Sequence, residues 1–133
     1  MFLKDNLKAL SLGMVLFLAL DALYLGSTSK MWNELLIRIS GEKIQLRLPY
    51  AILCYLLILF SWYYFVWVPY SINKNKSNAI KTAAILGFCI YGIYEFTNAA
   101  IIKNWDFKFV VMDTLWGSIL YSIVTYFTLS VLK

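Results

Sequence analysis

At 133 residues the chain is long enough for one domain, and 62% hydrophobic against 14% charged residues leaves too little polar surface for a water-soluble fold. The net charge of +5 is spread over short stretches between apolar runs, which fits lipid contact and excludes the basic patch of a nucleic-acid binder. The absence of histidine removes the commonest metal ligand and the commonest general base from any mechanism.

Four apolar segments are long enough to cross a hydrocarbon core of about 30 Å, which takes about 20 residues. The first runs over 7–27. Lys4 and Lys8 ahead of it, with Gly26, Ser27 and Ser29 at its end, imitate a secretory signal, but Asp21 inside the run argues against cleavage, so the helix is expected to be permanent. Beyond it Trp32, Leu35, Leu36 and Ile39 recur at helical spacing, with Asn33, Glu34 and Arg38 elsewhere on the wheel. This predicts a short interfacial helix between the first two spans, ending at Gly41.

The second segment, 48–70, is apolar on every face and carries Trp62, Tyr63, Tyr64, Trp67 and Tyr70 towards its end. The expectation is a lipid-facing wall with an aromatic belt, Pro49 in its first turn and Pro69 at its terminus. Cys54 and Cys89 lie within apolar runs and read as small buried hydrophobes. After a short basic connection around Lys74, Asn75 and Lys76 comes the third segment, 79–102. The connection from Lys103 to Lys108 is tight enough to make the third segment and the fourth, 109–132, antiparallel neighbours. No run alternates as a barrel strand would, so the fold class is all-α, an integral membrane four-helix bundle.

The positive-inside count ties. Lys4, Lys8, Lys74, Lys76, Lys81 and Lys133 fall on one side, and Lys30, Arg38, Lys43, Arg47, Lys103 and Lys108 on the other. A cytoplasmic N-terminus is the expectation. Whatever the orientation, the ends of the first and third spans and the start of the fourth share a side, where Asp21, Glu95 and Asp113 lie roughly 6 to 10 Å from the span midpoints at about 1.5 Å of rise per residue. A charge at such depth costs about 2.5–3.5 kcal/mol, so three acids at one depth are expected to face the interior and meet.

On the third segment Ala83, Gly87, Tyr91, Glu95 and Asn98 make one stripe, small residues first and polar ones after; on the fourth, Asp113, Trp116, Gly117 and Leu120 make another. Ala83, Gly87 and Gly117 are the expected packing positions. Asp21 and Tyr24 supply the first helix's share. Asp21-Ala22-Leu23-Tyr24 and Asp113-Thr114-Leu115-Trp116 match in acid, leucine and aromatic, but so few positions match too easily by chance to establish a repeat. Two readings stand side by side: protonated carboxyls gluing helices together with Asn98, Tyr91 and Trp116, or a pocket open to one side. Trp105 and the loop lysines read as interface anchors.

The stretch Tyr91-Gly92-Ile93-Tyr94-Glu95-Phe96-Thr97-Asn98, then Trp105, then Asp113-Thr114-Leu115-Trp116-Gly117, resembles the family known as domain of unknown function 2177, small predicted membrane proteins. Asp21-Ala22-Leu23-Tyr24-Leu25-Gly26 is similar to that family's first-helix motif. Tyr24 stands where tryptophan is expected and Glu95 where aspartate is more usual, so each position keeps its aromatic or carboxyl. The resemblance implies the four-helix architecture and these residues, and it implies no activity.

The expected function is a one-sided intramembrane acidic pocket, lined by Asp21, Tyr24, Tyr91, Glu95, Asn98, Asp113 and Trp116, that binds or translocates a proton, a cation or a small cationic ligand. Four short helices hardly enclose a conduit alone, so membrane lipids and either a homo-oligomer or a larger membrane complex are the expected partners. No polar stripe is expected to run the full thickness. A lipid- or isoprenoid-modifying enzyme and a structural or accessory subunit are the alternatives. The enzyme lacks histidine and a phosphate-binding glycine loop, and the sequence points to no metal ligands beyond the acids and no cofactor.

Overall fold

A computed structural model describes residues 2–132, and among them four long helices account for nearly all the backbone. They are α1 (Phe2–Ser40), α2 (Leu48–Asn73), α3 (Lys76–Ile101) and α4 (Phe107–Val131), each long and apolar enough to cross a membrane. The all-α membrane bundle expected from hydropathy is the architecture.

The centre of the bundle is α4, whose inward positions are buried from Phe109 to Leu129. Along its length it packs on α3; α1 lies on its other flank, and α2 closes the bundle beside α1. Two glycines set the α3–α4 distance. A Cβ on Gly87 would stand 2.1 Å from the Gly117 carbonyl oxygen, and one on Gly117 would stand 2.4 Å from Cγ of Tyr91. In lipid, where apolar burial gives no net drive between helices, such backbone approach is the source of contact energy.

Three expectations about the helices are corrected, and Cys54 and Cys89, expected to be buried, are both exposed. The amphipathic stretch after the first span is no separate interfacial helix but the continuation of α1, which runs unbroken for 39 residues. That is about 58 Å at 1.5 Å per residue, nearly twice the hydrocarbon thickness. Ser27, Thr28 and Ser29 do not cap a new helix; their hydroxyls donate to the carbonyls of Leu23, Tyr24 and Gly26 at 2.7, 2.8 and 3.1 Å, leaving the ladder intact. The end does come at Gly41, whose φ of +82° favours glycine and whose N–H donates to the Ile37 carbonyl at 2.9 Å.

The second correction concerns α2. Pro69 does not end it; the helix continues to Asn73 and stops where Lys74 turns left-handed at φ 56°. Proline has no N–H and crowds the carbonyl four residues back, and the chain absorbs this with a π-helical turn over Tyr63–Trp67, in which the Val68 N–H reaches the Tyr63 carbonyl. The wider turn brings Val66 and Trp67 inward together. With Trp62 fully buried and Trp67 at 2% exposure, α2 gives one face to the core, while Leu53, Leu57 and Phe60 on its other face stay exposed as the expected lipid-facing wall.

The third correction is that polar groups do continue through the other half of the bundle. Trp62 donates to the Thr125 hydroxyl at 2.9 Å, Trp67 to the Asn6 side chain at 2.7 Å, and Ser61 and Tyr121 share a hydrogen bond of 2.9 Å. These are neutral pairs joining α1, α2 and α4. Their apolar bodies pack as a core in which the Phe17 ring meets Tyr121 edge-on at 5.0 Å.

Candidate functional site

Asp21, Glu95 and Asp113 are brought together where α1, α3 and α4 meet, and all three are buried: Glu95 is 0% exposed and each aspartate 6%. One helical turn separates Asp21 from Tyr24 on α1 and Asp113 from Trp116 on α4. Because the two helices are antiparallel, each acid reaches the other's aromatic partner. Tyr24 donates to Oδ1 of Asp113 at 3.1 Å, and the Trp116 indole N–H donates to Oδ1 of Asp21 at 3.1 Å. The Tyr24 and Trp116 rings stack between these bonds, 4.5 Å apart and 9° from parallel. The short likeness between the two Asp-x-Leu-aromatic tetrads therefore has a physical meaning: it is a self-complementary clasp.

The other oxygen of Asp21 is taken by the hydroxyl of Tyr55 from α2. On α3, Oε2 of Glu95 accepts from the Trp105 indole at 2.9 Å, while Oε1 is buried with no donor against it. The antiparallel register that puts Gly87 on Gly117 and Gly92 on Thr114 carries Glu95 to Asp113, and the two carboxyls lie within hydrogen-bonding reach. The undersupplied glutamate thus has another acceptor beside it. No basic side chain takes part: among the described residues the one ion pair is Arg38 with Asp106, exposed and 3.8 Å apart.

The remaining expected residues are placed as follows. Tyr91 seats its ring on Gly117, filling the space the missing side chain leaves. Asn98 is half-buried, with its amide within reach of Tyr94 rather than of a carboxyl. Ala83, Gly87 and Gly117 are buried in the bundle. Among the described residues no three of Asp, Glu, Cys and His converge as a metal-binding group.

Two contributors were not anticipated. Tyr55 was assigned to a lipid-facing wall, and Trp105 to interface anchoring. Depth was the missed signal: Tyr55 lies about 10 Å into α2 from the acid side at 1.5 Å per residue, level with the acids, and the connection carrying Trp105 leaves α3 on that side.

A family described as predicted membrane protein, domain of unknown function 2177, matches residues 6–130. No curated protein and no solved structure matches the chain.

Proposed function

We propose that this chain, which belongs to the domain of unknown function 2177 family of predicted membrane proteins, is a proton-binding membrane protein whose site is the Glu95–Asp113 carboxyl pair. The observation that carries the reading is the buried Glu95 Oε1, which has no donor partner and has the Asp113 carboxyl within reach. Two carboxylates there would combine like-charge repulsion with the cost of charge at membrane depth. One proton between them turns the repulsion into an O–H···O⁻ bond, the short and strong kind.

The donors around the pair support the same reading. Tyr24 and Trp105 each give one hydrogen bond, enough to hold a single negative charge over two carboxyls and too few for two. A metal cation is less well served, because both oxygens of Asp21 are taken by aromatic donors and the acids do not form a ligand set of three among the described residues. The neutral pairs of the opposite half are already satisfied within the bundle, which favours exchange with one side of the membrane.

The test is infrared spectroscopy of the reconstituted protein across a pH series. A protonated-carboxyl C=O band is expected in the wild type, sensitive to deuterium exchange, and absent or displaced in Glu95→Gln and in Asp113→Asn. A band unchanged in both variants would sink the reading. Proton uptake by liposomes carrying the protein should fall in parallel in Glu95→Gln.

A further inference from the structure

Resting on the reading of Glu95 and Asp113 as a proton site, we infer that the proton reaches it from the α3–α4 connection, past Trp105, and that the C-terminal extension of α1 holds this entrance shut. Trp105 is the positioning residue through which that hold acts.

Trp105 lies in the short connection between α3 and α4, and its indole N–H is the donor to Glu95. The connection is a short turn: it spans 102–106, includes Asn104 in a left-handed conformation at φ 71°, has the Trp105 N–H donating to the Ile102 carbonyl at 3.3 Å, and ends where the Asp106 side chain accepts from the Lys108 N–H at 2.9 Å. What presses Trp105 into place comes from the part of α1 that outruns the membrane. The Trp32 ring lies 6.2 Å from that of Trp105 and 4.6 Å from that of Phe109, the first buried side chain of α4. Leu35 is fully buried in the same cluster, one turn further along α1. Arg38, a turn beyond, reaches Asp106 beside Trp105.

A second observation sets this cluster apart from ordinary packing. The Trp32 indole N–H is buried without a partner, beside a tryptophan whose own N–H is spent on Glu95. An unpaired buried donor costs free energy that a solely structural contact could avoid with phenylalanine. The clamp is therefore closed against a cost, and such local closures are the ones that open most readily. A 39-residue helix in place of a 20-residue span is what brings Trp32 and Arg38 to the entrance.

The experiment measures covalent labelling at Glu95 in the full-length reconstituted protein. A carbodiimide reacts with a protonated carboxyl: the O–H adds across one C=N bond, oxygen to carbon and proton to nitrogen, and acyl migration to nitrogen leaves a stable N-acylurea. Nothing departs and nothing is oxidised. Two reagents are compared by mass spectrometry, a water-soluble carbodiimide entering by the aqueous route and a lipid-soluble one entering from the bilayer.

Trp32→Ala removes the clamp and is expected to raise the water-soluble rate at Glu95 about tenfold, the factor that corresponds to weakening the closure by about 1.4 kcal/mol. Trp105→Phe keeps a ring over the site and loses only the N–H, so it guards against a folding failure in Trp32→Ala; a rise of about the same size is expected. The lipid-soluble rate should stay at the wild-type value in Trp32→Ala, which leaves the Trp105 donor to Glu95 in place. Equal acceleration of the two reagents in Trp32→Ala would mean general loosening and overturn the clamp, as would wild-type rates for the water-soluble reagent in both variants. If the lipid-soluble reagent fails to label Glu95 in the wild type even at acid pH, the proton site itself is lost and the clamp falls with it.

Discussion

The two halves of the bundle solve one problem with different acceptors. In both, polar side chains inside an apolar solvent must be satisfied by partners from other helices, and in both the donors are aromatic: Trp62, Trp67 and Tyr121 in one half, Tyr24, Tyr55, Trp105 and Trp116 in the other. The acceptors differ. Trp62 and Trp67 meet a hydroxyl and an amide, which stay neutral whatever the pH, whereas the donors of the other half meet three carboxyls. Indoles and phenols supply an apolar body and one N–H or O–H, so they can seal a membrane core around either kind of acceptor. The lesson is that the aromatic donors of the neutral half all find neutral acceptors, Thr128 alone among the described residues there keeping a buried hydroxyl without a partner, whereas the acidic half is one proton short.

The contact between Gly87 and Gly117 joins the halves, and breaking it gives the largest expected effect. A valine at Gly87 would place Cβ inside the Gly117 carbonyl, and neither backbone can yield without separating α3 from α4. The loss should exceed about 3 kcal/mol, beyond ordinary overpacking, and should abolish the acidic cluster along with the fold. Unfolding in mixed micelles with increasing SDS checks this. A Gly87→Val protein as stable as the wild type would show that the close approach is not what holds the bundle.

Next in size is a pair of variants that set one half against the other. Tyr55→Phe removes a donor from Asp21 and should cost about 1–3 kcal/mol, because a buried carboxylate oxygen is left without its partner. Thr125→Val keeps the shape and removes the acceptor of the Trp62 N–H, for a cost of about 1–2 kcal/mol. The contrast lies in what is left behind: Tyr55→Phe strips a partner from a carboxyl oxygen and Thr125→Val strips one from an indole N–H, so the first loss should be the larger. Unfolding in mixed micelles with increasing SDS measures both, and a Thr125→Val loss equal to or above that of Tyr55→Phe would erase the distinction between the halves.

Much of this was legible in the sequence, and the parts that were not share a cause. Hydropathy and depth suffice for four spans and for Asp21, Glu95 and Asp113 meeting, because a buried charge in lipid has few places to go. Small residues at helical spacing point to Gly87 and Gly117. By contrast, Trp62 and Trp67 looked like an interface belt and Tyr55 like part of a lipid-facing wall, because aromatic residues serve lipid contact and core equally well, and composition cannot tell which way a ring points. The inward rotation of Val66 and Trp67 depends on a π-helical turn, a response to Pro69 that changes the helical register on which the wheel was drawn. The length of α1 was missed for a related reason: hydroxyl residues at 27–29 fit a helix end or a helix interior alike, and only their bonds back to the preceding turn decide.

The smallest expected effect lies outside the membrane, at Arg38. Its pairing with Asp106 spans 3.8 Å between side chains that are 60% and 35% exposed, so solvent and salt screen most of the attraction. Arg38→Gln should therefore cost at most about 0.5 kcal/mol in global unfolding, vanishing at high salt. The hydrophobic contacts of Trp32 and Leu35 would keep the α1 extension in place. A loss of several kcal/mol would instead mean that the charge pair, rather than the aromatic cluster, fixes the end of α1. The boundary of the acidic half would then be electrostatic and salt-sensitive, unlike anything in the neutral half.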